Sequence, residues 1–231
     1  MTSDCVGLIG VVDTTEMGYV VNLVLDGKPA VVVGGGSVAA RKVEDLLAAK
    51  AKVRVVAVEV CAKLQSLADR GLISGEWRSY VAGDLDGASL AIAATDDESV
   101  NARVAADAQA RNILVNVVDR PALCTFTLPA VGRRGNLTFA VATDGLCPSL
   151  AGVLRAEIMD RYGPEYAELV SLFGRLRERM IAMGWDGRRI TDAVSEIYRA
   201  GIAHVISAGD RSLLDELLRT KLGPEFQLPL R

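Results

Sequence analysis

Three small residues and one acid carry the first chemical signal in this chain. Gly34, Gly36 and Ala39 fit the spacing G-x-G-x-x-A within Ala30-Val31-Val32-Val33-Gly34-Gly35-Gly36-Ser37-Val38-Ala39, the fingerprint of a turn that holds a dinucleotide. Gly34 lets the chain turn tightly off a strand. Gly36, without a Cβ, lets a pyrophosphate approach the backbone, and Ala39 lets the next helix lie close to the strand. The start of that helix offers free N–H groups and a positive dipole end to phosphate. Glu59 lies 20 residues past Ala39. A carboxylate there accepts hydrogen bonds from the ribose hydroxyls of NAD and repels the 2′-phosphate of NADP. The competing reading of Glu59 is a solvated acid at a strand end.

Further along, Thr95 and Asp96 follow the apolar run Leu90 to Ala94. At the carboxyl end of a parallel strand both face a ligand crevice; alternatively Asp96 or Asp97 caps the following helix. Asp119 closes the run Asn116-Val117-Val118-Asp119 ahead of Arg120-Pro121. It is either a general base at a domain seam or a turn aspartate before a proline. Arg133, Arg134 and Arg155 have the guanidinium chemistry to bind an anion bidentately, or are solvated surface charges.

The elements that would position these groups follow from periodicity. Strands are predicted at Val20–Leu25, Ala30–Val33, Val53–Val58, Leu90–Ala94 and Ile113–Val118, with a weaker one at Trp77–Val81. Helices are predicted at about Ser37–Ala49, Cys61–Arg70 and Ser99–Arg111. Apolar strands alternating with amphipathic helices imply a parallel sheet covered on both faces. Phe126–Val131 and Leu137–Thr143 read as an antiparallel hairpin around Gly132-Arg133-Arg134-Gly135-Asn136. Its alternate residues are apolar and two strands are too few to stand alone, so its edge is expected to pair with a second copy of the chain. From Pro148 onward the pattern is helical, with stripes at Leu150, Val153, Leu154 and Ile158 and at Leu169, Leu172, Phe173, Leu176 and Met180. Helices at Ile190–Arg199 and at Ser212–Leu222, the latter capped by Asp210, complete it. The expectation is an α/β chain in three parts: a Rossmann-like parallel sheet over 1–119, a small β dimerisation region over 120–147 and a helical part over 148–231.

Composition narrows the partners. Half of the 231 residues are hydrophobic, the net charge is −3 and the sequence pI is about 5.3. That balance gives no general affinity for nucleic acid or membrane. The start Met1-Thr2-Ser3-Asp4 has no basic signal-peptide region, so the expected location is the cytoplasm. Cys5, Cys61, Cys124 and Cys147 are scattered, and His204 is the one histidine. These spacings offer no zinc or iron–sulfur ligand set; the cysteines read as free thiols and His204 as a surface or packing residue.

The ordered combination of motifs resembles the precorrin-2 dehydrogenase / sirohydrochlorin ferrochelatase family of siroheme synthesis. The matching stretches are Val31 to Lys42 around the glycine turn, Ile92-Ala93-Ala94-Thr95-Asp96-Asp97 with Val100-Asn101, and Asn116 to Pro121. Phe126 with Pro129 and Pro148-Ser149-Leu150-Ala151 leading to Leu154-Arg155 follow. The resemblance covers about residues 18 to 180. It implies a homodimer that uses NAD to oxidise precorrin-2 to sirohydrochlorin; some members also insert ferrous iron. It makes Asp119 the principal catalytic candidate, which reverses the turn-residue preference. Ser37, Val38, Val58 and Glu59 fall at its cofactor-contact positions. Arg120, Arg133, Arg134 and Arg155 are the candidates for the many carboxylates of the implied substrate. The chain departs from the family at Thr143-Asp144-Gly145-Leu146-Cys147-Pro148, where S-G-G-x-S-P is usual, and at Gly152, which replaces an arginine. Both departures bear on iron insertion more than on dehydrogenation. A rival reading is a regulatory module that senses NAD without catalysis; it needs the glycine turn but not Asp119.

Overall fold

The computed structural model describes residues 18–226. The chain forms two compact units, divided between Leu128 and Pro129. In the first unit, five parallel strands, β1 (Pro29–Val33), β2 (Lys52–Val56), β3 (Ser74–Glu76), β4 (Leu90–Ala93) and β5 (Leu114–Val117), stand in the order β3-β2-β1-β4-β5. Successive residues point to opposite faces, so both faces of the central strands need apolar side chains. Ala30, Val32, Val53 and Val55 pack with α1 (Ser37–Ala48) and with Leu64 of α2 (Ala62–Asp69). Val31, Val33, Ala91 and Val115 pack with Val104 and Ala108 of α3 (Glu98–Ala110). The unbroken valine run of β1 is thus the signature of a strand covered on both sides.

Two strand expectations are corrected. Residues 20–25 form no strand; Tyr19, Val20 and Val24 are 91%, 73% and 79% exposed. The run is β-branched, but β1 immediately after it already pairs with β2 and β4, which leaves no free edge beside it. The third strand is Ser74–Glu76 rather than Trp77–Val81. The later residues are drawn into a turn by Asp84. Its carboxylate is 3% exposed and accepts from Arg78 Nη1 and Nη2 at 2.9 and 2.7 Å and from the Val81 N–H at 2.9 Å.

The second unit holds the hairpin β6 (Ala130–Arg134) and β7 (Leu137–Val141) with helices α4 (Pro148–Arg161), α5 (Glu165–Ala182), α6 (Gly187–Arg199), α7 (Ile202–Ser207) and α8 (Arg211–Leu222). The hairpin turns on two residues, Gly135 at φ +54° and Asn136, not on five. Arg133 and Arg134 therefore lie in β6 and not in the turn. Gly132 faces Met159 and Arg155 of α4, and the Phe139 ring stacks on Tyr162 at 5.1 Å. The apolar face of the hairpin is thus covered by its own helices, and among the described residues no strand pairs with either of its edges. Leu172, Met180, Ile197, Ile202, Leu218 and Phe226 centre a separate helical core. Asp186 and Asp210 cap α6 and α8. The stripe Leu150, Val153 and Leu154 on α4 is exposed instead of buried, and His204 is exposed on α7.

The three-part division is redrawn by these contacts. Residues 120–128 belong with the sheet, because Thr125 N–H donates to Val115 O at 2.8 Å and Asn116 Nδ2 to Phe126 O at 3.1 Å. The hairpin belongs with the helices. Cys5 lies outside the described residues.

The paired Arg78 guanidinium holds the Asp84 carboxyl below the usual carboxylate range, with the Val81 amide assisting. A depressed folded-state pKa adds stability above the ordinary carboxylate pKa, lost as pH falls through the folded value. Asp84→Asn should therefore lower stability at pH 7 by about 1–3 kcal/mol in urea unfolding. The deficit against the unmodified protein should shrink below about pH 4.

Candidate active site

Parallel strands run in one direction, so their carboxyl ends share one edge of the sheet. Across that edge lie Val58 and Glu59 beyond β2, Gly34 to Gly36 beyond β1, Thr95 and Asp96 beyond β4, and Asp119 beyond β5. The strand order reverses at β1 and β4, where ligands of such sheets bind.

The glycine turn is fixed by its neighbours. Gly34 has φ +130°, and a Cβ there would overlap the Ala94 carbonyl, 2.6 Å from its carbon. A Cβ on Gly35 would stand 2.9 Å from the Glu59 carbonyl carbon and overlap its oxygen. The Cys61 N–H donates to Gly35 O at 2.8 Å. Gly35 is thus as constrained as Gly34, although the spacing rule does not single it out. Gly36 is the reverse case: its backbone is extended and no atom lies within 4 Å of the Cβ position. Among the described residues no side chain caps α1, Ser37 and Val38 are exposed in its first turn, and Ala39 is buried against the sheet. Open space above Gly36 and an uncapped helix start fit the pyrophosphate of a dinucleotide. Val58 and Glu59 are exposed beside this turn.

Beyond β4 the two readings divide between residues. Asp97 is the helix cap, accepting from the N–H groups of Ser99 and Val100 at 2.8 and 3.2 Å. The Ser99 hydroxyl, with these amides, holds its carboxyl below the usual range. Asp96 is exposed and free of that task. Thr95 is half-buried, and its hydroxyl donates to Asn101 Oδ1 at 2.8 Å.

Asp119 stands in the left-handed region at φ +58°, exposed, in the turn after β5. Cys124 ties the two limbs of that turn: its Sγ accepts from the Val117 N–H at 3.2 Å and lies 3.4 Å from Arg120 O. Asp119 lines an open cavity of about 420 Å³ with Glu98, Asn101, Arg120 and Pro121. Arg120 is ion-paired with Glu98. The other arginines belong to the second unit. Arg134 donates to Tyr162 O at 3.0 Å and Met159 O at 2.8 Å, so it closes the C-terminus of α4. These bonds engage its Nε and Nη2. Arg133 is exposed on the outward face of β6, and the stem of Arg155 lies over Gly132. Neither unit therefore gathers the four arginines into one cluster. Among the described residues, no three His, Cys, Asp or Glu side chains come together as a metal site, and no helix is long and apolar enough to cross a membrane.

The fold and the glycine turn define a dinucleotide-binding α/β protein. Residues 21–130 match the family model described as putative NAD(P)-binding. The siroheme synthase of Ectopseudomonas mendocina is 41% identical over 198 residues, 86% of this chain and 42% of that protein. That of Pseudomonas entomophila is 42% identical over 195 residues, 84% of this chain and 42% of its own length. The chain thus spans less than half the length of these curated relatives. The solved structure of SirC, a precorrin-2 dehydrogenase, superposes with a TM-score of 0.65 at 26% identity, covering 78% of this chain and 89% of that one. Over most of its length the chain is thus similar to one part of these siroheme synthases and to SirC.

The contrast between the glycines is testable. Gly36→Asp places a carboxylate where the pyrophosphate would lie, yet supplies a good helix cap. It should keep its thermal stability, within a few tenths of a kcal/mol, and lose NAD binding in calorimetry. Gly34→Ala should instead destabilise the fold by at least about 2 kcal/mol, because both its φ and its Cβ are refused.

Proposed function

We propose that this chain is an NAD-dependent dehydrogenase that oxidises precorrin-2 to sirohydrochlorin. The observation that carries the reading is the alignment of the open glycine turn and the exposed Asp119 along one edge of the sheet. The named activity of SirC, at 26% identity, supports the substrate.

When bound, NAD supplies the hydride acceptor. The amides at the start of α1 hold its pyrophosphate, and Glu59 takes the ribose hydroxyls. The macrocycle loses a hydride and a proton, and Asp119 receives the proton. Its exposed, turn-held carboxylate has no hydrogen-bond partner among the described residues, so it is available to substrate. The carboxylates of the macrocycle call for cationic partners, and Arg120, Arg133, Arg134 and Arg155 are the candidates. Iron insertion is the second activity proposed, with ferrous iron as substrate and Asp119 assisting removal of two pyrrole protons. The working unit is a homodimer in the cytoplasm. The two edges of the β6–β7 hairpin, unpaired among the described residues, support the dimer.

Anaerobic incubation of the protein with precorrin-2 and NAD, followed by visible spectra, should yield sirohydrochlorin; added ferrous iron should carry it on to siroheme. Asp119→Asn keeps the turn, since asparagine tolerates φ +58°. It should bind NAD normally and lose turnover roughly 10²–10⁴-fold, the range for a missing general base. Near-normal turnover would return Asp119 to the role of a turn residue, whereas a parent protein that binds NAD and oxidises no precorrin-2 would favour the NAD-sensing alternative. Sedimentation velocity at micromolar concentration should show a dimer; a monomer would refute the edge-pairing role.

A further inference from the structure

Every polar group of Thr95 is held by one neighbour. Asn101, in the second turn of α3 and 5% exposed, accepts through Oδ1 from the Thr95 hydroxyl at 2.8 Å and from the Thr95 N–H at 3.3 Å. Through Nδ2 it donates to the Thr95 carbonyl at 2.8 Å. The Asp97 N–H completes the arrangement by donating to the Thr95 hydroxyl at 3.2 Å.

Asparagine is a poor choice for a buried helix position. It is a weaker helix former than leucine or alanine, and its amide must be desolvated on both sides. None of its three hydrogen bonds serves α3. All of them serve the loop between β4 and α3. That loop matters because Ala94, one residue earlier, is the surface on which Gly34 closes. Holding Thr95 at its N–H, hydroxyl and carbonyl fixes Ala94 as well. The spacing between the β1 turn and the β4 turn, at the point where the strand order reverses, is then set from beneath.

We propose that Asn101 is a positioning residue for the dinucleotide: it contacts no cofactor, and it pre-sets the β4 wall of the crevice so that binding need not order it. The proposal rests on the reading of this edge as the NAD site. It also gives Thr95 a different role from direct cofactor contact, because the polar groups expected to meet the ligand face Asn101.

Asn101→Asp tests it. The side chain keeps its shape and its acceptor contacts, but the donor to the Thr95 carbonyl becomes an opposing oxygen. Thr95→Val, at a half-buried position, removes only the hydroxyl. NAD affinity is measured by calorimetry at low temperature on full-length protein, with thermal unfolding as the check on folding. The dissociation constant should rise roughly tenfold to a hundredfold in Asn101→Asp and severalfold in Thr95→Val. The double variant should bind more weakly than either single variant, because the two changes break different hydrogen bonds that hold the same loop. In turnover the effect should fall on KM for NAD rather than on kcat. A folded Asn101→Asp with a lowered melting temperature and unchanged NAD affinity overturns the proposal and makes Asn101 a packing residue. If that variant does not fold, an unchanged affinity in Thr95→Val overturns it equally. A parent protein that binds no NAD overturns the functional reading and this proposal together.

Discussion

The backbone of β1 leaves the sheet between two other chain segments, with almost no room on either side. Gly34 closes on the Ala94 carbonyl and Gly35 on the Glu59 carbonyl. This double contact fixes the rest of the site. It sets where α1 begins, and so where its free N–H groups point. It ties the ends of β2 and β4 to the end of β1, so Glu59 and Thr95 flank one turn. A side chain at either glycine would push these strand ends apart before it touched any ligand. The fold and the proposed binding geometry therefore rest on the same few atoms, whereas Gly36 meets no such close approach.

The parts of this arrangement readable in the sequence were those with a local cause. A β-branched run, a glycine turn and an amphipathic helix identify β1 and α1 because each is set by neighbouring residues. Alternating β and α patterns give the parallel sheet for the same reason. The errors were of another kind. Residues 20–25 have a strand composition, yet whether they pair depends on which sheet edges are free, and β1 is enclosed on both sides. Arg134 has the surroundings of a turn residue, but a two-residue turn places it in β6, where it donates to the carbonyls of Met159 and Tyr162. Asn101 and Cys124 stabilise loops distant from them in the chain, and no local pattern marks them. The Asn101 signal is faint but physical: a polar residue on the buried side of a helix.

The two units divide the work differently. In the first, buried apolar residues form two cores, one on each face of a thin sheet. In the second, the hairpin has a single covered face, and the helices beyond it hold a core of their own around Met180, Ile197 and Leu218. Asp186 and Asp210 start α6 and α8 by accepting from the N–H groups of Arg189 and Leu213 within the same unit. The exposed apolar residues Leu150, Val153 and Leu154 on α4 are the clearest break from this economy of burial.

The left-handed backbone at Asp119 restricts what the position can become. A residue with φ near +58° is comfortable as glycine, asparagine or aspartate and strained as nearly anything else. Alanine there would alter the chemistry and the turn together, so an alanine scan would overstate the importance of the carboxylate. In a lineage released from the need for a base, drift at this position would run toward asparagine or glycine and not across the whole alphabet. Asparagine at the end of an otherwise matching β5 would then mark a protein that kept the architecture of the turn while giving up its proton chemistry.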